Sequence, residues 1–128
     1  MESLQIRTGE IKLQILDDNG DERGIFKFNP EDVHVAKQVF GLKDEFDMKQ
    51  AEFQEKTKLC KTDKEKIELL NEVVDYFEGL IDSCFGEGTS ALVFGGAKTL
   101  SMFEDFFVGI TPYYQKASEK RIAKYGVK

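Results

Sequence analysis

With 128 residues, the chain is long enough to close one hydrophobic core and short for two, so a single domain over 1–128 is expected. A formal net charge of −6, from 24 acidic against 18 basic residues, argues against general affinity for nucleic acid or anionic lipid, both of which demand a positive field. No run reaches the roughly 18 apolar residues of a membrane span, and Met1-Glu2-Ser3-Leu4 lacks the basic-then-apolar order of a secretion signal, so the expected location is the cytoplasm.

The chain opens with the pattern of a β-hairpin over about 4–28. Residues 10–16 alternate Ile11, Leu13 and Ile15 with Lys12 and Gln14, the period of a half-buried strand. Gly24-Ile25-Phe26-Lys27-Phe28 predicts a second strand with Phe26 and Phe28 on one face, and Asn19-Gly20 between them supplies a tight turn that sets the pair antiparallel. A two-stranded hairpin is marginal alone and must pack on the helical region that follows, about 30–125.

Asn29-Pro30-Glu31-Asp32 reads as a helix start, with Asn29 capping and Pro30 in the first helical position. Val35, Val39, Leu42, Phe46 and Phe53 then trace an apolar face. Gly41 interrupts it, and a helix-interior glycine costs about 1 kcal/mol against alanine, so this is one long helix or two pieces joined near 41–43. Thr62-Asp63-Lys64-Glu65 has the form of a capping box. Behind it Ile67, Leu70, Val74, Phe77, Ile81 and Phe85 recur at helical spacing, broadened by Val73, Leu80 and Cys84, in the most strongly patterned helix of the chain.

The next stretch, Phe85-Gly86-Glu87-Gly88-Thr89-Ser90-Ala91-Leu92-Val93-Phe94-Gly95-Gly96, sets four glycines among apolar residues and reads as a specified connector. Gly86 ends the helix, and Leu92, Val93 and Phe94 return apolar surface to the core. Ser101 with Glu104 suggests a further cap before Phe103, Phe107, Ile110, Tyr114 and Ala117. Thr111-Pro112 is expected to kink or interrupt this last helix, and Lys116, Lys120, Arg121 and Lys124 suit the negative end of its dipole. Phe103, Phe106, Phe107, Tyr113 and Tyr114 are spread more widely than one narrow stripe, which makes them candidates for burial against a partner protein as well as for the core.

The elements together predict an α+β, mainly α-helical fold, an N-terminal β-hairpin packed on a three- or four-helix domain. Motifs for chemistry fail one by one. His34 is the sole histidine, and Cys60 and Cys84 are too far apart for a local zinc knuckle, so no metal or cofactor is expected. Both cysteines are expected as reduced thiols, Cys84 in the core and Cys60 exposed between Lys58 and Lys61. A calcium loop begun at Asp17 would need glycine at Glu22 and an acid at Phe28. Gly86, Gly88 and Ala91 have dinucleotide-motif spacing but follow a helix instead of a strand, and Gly95-Gly96-Ala97-Lys98-Thr99 lacks the glycine before lysine of a phosphate loop. Ser83, Ser90 and Ser101 have no G-x-S-x-G context, and an enzyme is not the expected reading.

Phe85, Gly86, Glu87, Gly88 and Thr89, followed after a short variable step by Val93, Phe94 and Gly95, resemble the C-terminal region of tail assembly chaperones of tailed bacteriophages and prophages of Gram-positive bacteria. The similarity is clearest over 80–125. It implies a non-enzymatic protein of the bacterial host cytoplasm that binds the tape measure protein and keeps its apolar helical surface soluble while tail tube protein assembles around it. It also implies self-association into a homo-oligomer and a second, frameshift-extended form of the chain. The alternative is a structural tail or connector component that remains in the phage particle.

Overall fold

In the computed structural model, which describes residues 1–126, β1 (Ile11–Leu16) and β2 (Glu22–Phe28) form an antiparallel two-stranded sheet in the register Ile11↔Phe28, Leu13↔Phe26 and Ile15↔Gly24. Val127 and Lys128, with which the expected domain and its basic tail end, lie outside the described residues. The hairpin is shorter than the expected 4–28 at its start, because 1–10 form no strand, and β2 begins two residues before Gly24. The connection is also wider than an Asn19-Gly20 turn alone. The Asp17 carboxylate accepts from the Asn19 and Asp21 amides at 2.9 and 3.0 Å, so one side chain organises the whole 17–21 loop. Phe26 and Phe28 are buried on the inner face, with Ile11, Leu13 and Ile15 half-buried beside them.

Four helices follow: α1 (Val33–Thr57), α2 (Asp63–Phe85), the short α3 (Thr89–Phe94) and α4 (Ser101–Tyr125). This is the α+β, mainly helical architecture expected, in its four-helix form. The start of α1 differs from expectation. Asp32, not Asn29, is the N-cap, its carboxylate accepting from the His34 and Val35 amides at 3.0 and 3.2 Å. Asn29 is held in a turn instead. Its side chain accepts from the Glu31 amide and donates to the Thr8 carbonyl at 2.7 Å, and Pro30 sits buried before the helix. Helix α1 runs through Gly41 without a break, burying Ala36, Val39, Leu42 and Phe46, while Val35 and Phe53 are half-buried.

The α2 cap is close to the expected box. The Thr62 hydroxyl accepts from the Glu65 amide at 3.2 Å, but the Glu65 carboxylate reaches one residue further back, to the Lys61 amide at 2.8 Å. Val73, Val74, Phe77 and Ile81 are buried, whereas Ile67, expected in the core, is 63% exposed. From 47 to 72, across the end of α1 and the start of α2, no residue is buried.

At α4 the Thr99 hydroxyl, not Ser101, accepts from the Met102 amide at 3.3 Å, since Ser101 is already inside the helix. Nor does Pro112 interrupt α4. Its ring faces solvent, the Thr111 hydroxyl donates back to the Phe107 carbonyl at 2.5 Å, and buried Ile110, Tyr114 and Ala117 hold the helix to the core on both sides of it. An aromatic chain then joins the layers. Phe26 meets Phe85 and Phe106 at 5.4 and 5.7 Å, Phe28 meets Tyr113 at 5.5 Å, and Phe77 meets Phe46 and Phe103 at 4.8 and 5.4 Å.

Candidate functional site

The connector is a joint between α2 and β2, assembled from side chains on both. Phe85 closes α2 half-buried, and the Gly86 amide donates to the Asp82 carbonyl at 2.8 Å. The Asp82 carboxylate then clamps the start of α3, taking the Ser90 amide on Oδ1 at 2.8 Å and the Ser90 hydroxyl on Oδ2 at 3.0 Å. Ser90 is buried, so this pair satisfies both of its donors where water is excluded. The Thr89 hydroxyl donates to the Gly86 carbonyl at 2.7 Å, and Glu87 stands exposed.

All four glycines of the connector have a positive φ that other residues resist, and two of them bound α3. Gly88, at φ 90° and ψ −6°, is left-handed and starts α3, and Gly95, at φ 60° and ψ 28°, ends it. A Cβ on Gly95 would also stand 2.8 Å from Arg23 Nε. The Arg23 side chain passes there to donate to the Val93 carbonyl at 2.9 Å, tying the end of α3 to β2. Val93 and Phe94 are buried, and Phe94 packs edge-on against Phe103 at 5.0 Å. Lys98 completes the joint by bridging Glu78 and Asp75 of α2 at 2.6 and 3.0 Å, and these pairings raise its pKa above the ordinary lysine value.

The structure places the candidate protein-binding aromatics differently from a partner-facing cluster. Phe103 and Tyr114 are fully buried, Phe106 and Phe107 are 7% and 8% exposed, and only Tyr113 is half-exposed. The reason is positional. Helix α4 meets the hairpin through Phe106, Tyr113 and Tyr114 and meets α1 and α2 through Phe103 and Phe107, so its apolar arc is wide because it packs on two sides. Tyr113 lines a groove of about 360 Å³ with Ile11, Pro30, Ala117 and Lys120. On the other side of α4, Phe107 and the exposed Val108 border a groove of about 480 Å³ against Phe46 and Asp47 of α1. Among the basic residues at the end of α4, Lys120 pairs with Glu31 at 3.3 Å and Arg121 donates to the Pro30 carbonyl at 3.4 Å.

Cys84 and Tyr114 are shifted toward their protonated forms. Burial pushes the Cys84 thiol up to about 11, and it is half-buried instead of fully in the core. Cys60, expected exposed, is also half-buried, its thiol 3.6 Å from the Lys56 carbonyl. Burial raises the Tyr114 pKa as well, and its hydroxyl has no hydrogen-bond partner among the described residues. His34 is exposed on the first turn of α1. Among the described residues, no three His, Cys, Asp or Glu side chains converge as metal ligands, and no helix is long and apolar enough to cross a membrane.

Sequence reasoning passed over Arg23 and Asp82 and gave Thr99 no capping role. Each acts on a group distant from it or on a neighbouring backbone amide, and the one local signal was the spacing of Asp82 one turn before the helix end. It passed over Lys66 as well, one of five lysines between 56 and 66.

No curated protein and no solved structure matches the chain. Residues 21–127, which take in β2 and all four helices, match a family described as of unknown function, DUF6673. The match covers well over half of the chain, and the chain therefore belongs to DUF6673.

Proposed function

We propose that this protein is a non-enzymatic tail assembly chaperone of a tailed phage or prophage, acting in the bacterial cytoplasm on the tape measure protein. The observation behind the reading is the connector motif: Phe85, Gly86, Glu87, Gly88 and Thr89 with Val93, Phe94 and Gly95 resemble that family's C-terminal region. Support comes from the way these residues are used. Gly88 and Gly95 hold left-handed backbone, and Val93 and Phe94 enter the core, which is what a motif with an architectural role requires. Further support comes from the surface, where apolar residues border an open groove between α1 and α4 and another between α4 and the hairpin side of the molecule, forms suited to a segment of another protein.

In this reading the chain covers apolar helical surface of the tape measure protein by reversible association, and binding favours the soluble client by mass action until tail tube subunits replace it. Self-association and a frameshift-extended form belong to the same proposal. The alternative, a structural tail or connector component, is separated from it by quantitative mass spectrometry of purified virions. A chaperone is absent from the finished particle. Presence at a fixed stoichiometry to the tail tube protein would establish the structural role instead.

A further inference from the structure

The apolar seam between α1 and α2 continues past the part of the molecule that covers it. In the body, Phe103 and Phe107 of α4 close over Phe46 and Phe77 at 5.4–6.4 Å. Helix α4 begins at Ser101, two residues before Phe103, and runs from there toward Tyr114, which packs against Phe28 and Phe40 at the opposite end of α1. The distal end of the α1–α2 hairpin is therefore left as two helices without a third. Phe53, Thr57, Lys58, Lys66, Ile67 and Leu70 border an open groove of about 500 Å³ there, and all belong to α1, α2 or the cap residue of α1. Phe53 and Leu70 are half-buried, and Ile67 is 63% exposed. Ile67 and Leu70 share the stripe of Val74, Phe77 and Ile81, so the groove extends the core seam into solvent.

Charge identifies what would fill it. The charged residues that border the groove are lysines on both sides, Lys58 and Lys66, with no acid among its lining residues, while the neighbouring Lys56 and Lys64 pair with Glu52 and Glu68 at 2.8 and 4.0 Å. Lys58 pairs only with exposed Glu55, at 3.1 Å, and Lys66 has no ion pair among the described residues. We propose that this distal groove binds one amphipathic helix of a partner protein whose apolar face is flanked by acidic residues. Lying in line with α4, that helix would complete a three-helix bundle over the eleven residues that follow Phe46, as far as Thr57, about 16 Å or three turns. A second copy of the chain is a poorer occupant, because two such tips bring like charges together. The proposal rests on the chaperone reading in that the helix is then a stretch of the client.

The test uses two designed 21-residue peptides with one shared leucine face, flanked by glutamate in the first and by lysine in the second, titrated against the full chain by fluorescence anisotropy. The wild-type chain binds the glutamate-flanked peptide at least tenfold more tightly. Ile67→Asp weakens that binding tenfold or more, and Lys58→Glu with Lys66→Glu reverses the preference. All three positions are exposed, and a gain of affinity for the lysine-flanked peptide cannot come from misfolding. Equal affinity of the wild type for both peptides, binding unchanged by Ile67→Asp, or no reversal would each overturn the proposal. A wild-type dimer dissociated by Ile67→Asp would overturn it in favour of a second copy. If the wild type discriminates the peptides as expected while the tape measure protein is insoluble with or without the chain, the tip site stands and only the chaperone reading falls.

Discussion

Tyr114 shows what a single side chain is asked to tolerate in this core. It stacks with Phe28 at 6.0 Å and is sealed from solvent, yet its hydroxyl has no partner among the described residues. A buried unpaired hydroxyl costs about 1–3 kcal/mol, so Tyr114→Phe, which keeps the ring and removes the orphan, is expected to stabilise the fold. For a chain of this size the gain is about 1 kcal/mol or more, roughly 3–5 °C in Tm. The pH dependence follows from the raised folded-state pKa. The neutral phenol is favoured in the folded state, so its contribution is complete below the ordinary tyrosine value of 10.0 and is lost as pH rises from there toward the folded value. Thermal unfolding at pH 7 and pH 11 checks both parts: the variant is more stable at pH 7, and its advantage widens at pH 11. A Tm below wild type at both pH values would mean that the hydroxyl has a partner. Cys84 is held in the same direction by burial, which makes its thiolate scarce near neutrality.

Among the elements, those specified by near neighbours were legible and those specified by distant contacts were not. The hairpin alternation, the Thr62 cap and the Val74, Phe77, Ile81 stripe depend on residues a few positions apart. Asn29 and Asp32 are both good caps by type; the Asp32 carboxylate takes the His34 and Val35 amides, while the Asn29 side chain accepts from the Glu31 amide in a turn before the helix and donates to Thr8, 21 residues away. Pro112 stays in a helix because packing on both sides outweighs its missing N–H. Six-residue α3 is too short to show a period, although the glycines that bound it were visible. The candidate aromatics were legible as a group but not by location, since a wide apolar arc reads alike whether two layers of one chain or a partner covers it. Gly88 tests the connector directly. At φ 90° a valine is strained by roughly 1–3 kcal/mol, although the space around it is open, whereas exposed Glu87 tolerates amidation. Gly88→Val is expected to lower Tm by several degrees while Glu87→Gln stays within about 1 °C. Equal thermal unfolding of the two variants would contradict the assigned backbone.

At the scale of the whole molecule, one compact layer of aromatics holds the hairpin, α3 and α4 to the lower half of α1 and α2, and the upper half stands free. That division fits the proposed function, which needs a body stabilised by its own core and helical surface open to another protein. The division was only partly legible. Periodicity gave Ile67 and Leu70 the same apolar face as Phe77, but which turns of that face are covered depends on where α4 begins. The claim that this surface serves a client is tested most directly by expressing the tape measure protein of the same phage or prophage with and without this chain and measuring its soluble fraction. The account predicts that the client is largely insoluble alone and becomes soluble in a complex that co-purifies with the chain. A soluble fraction unchanged by the chain, with no complex recovered, would contradict it.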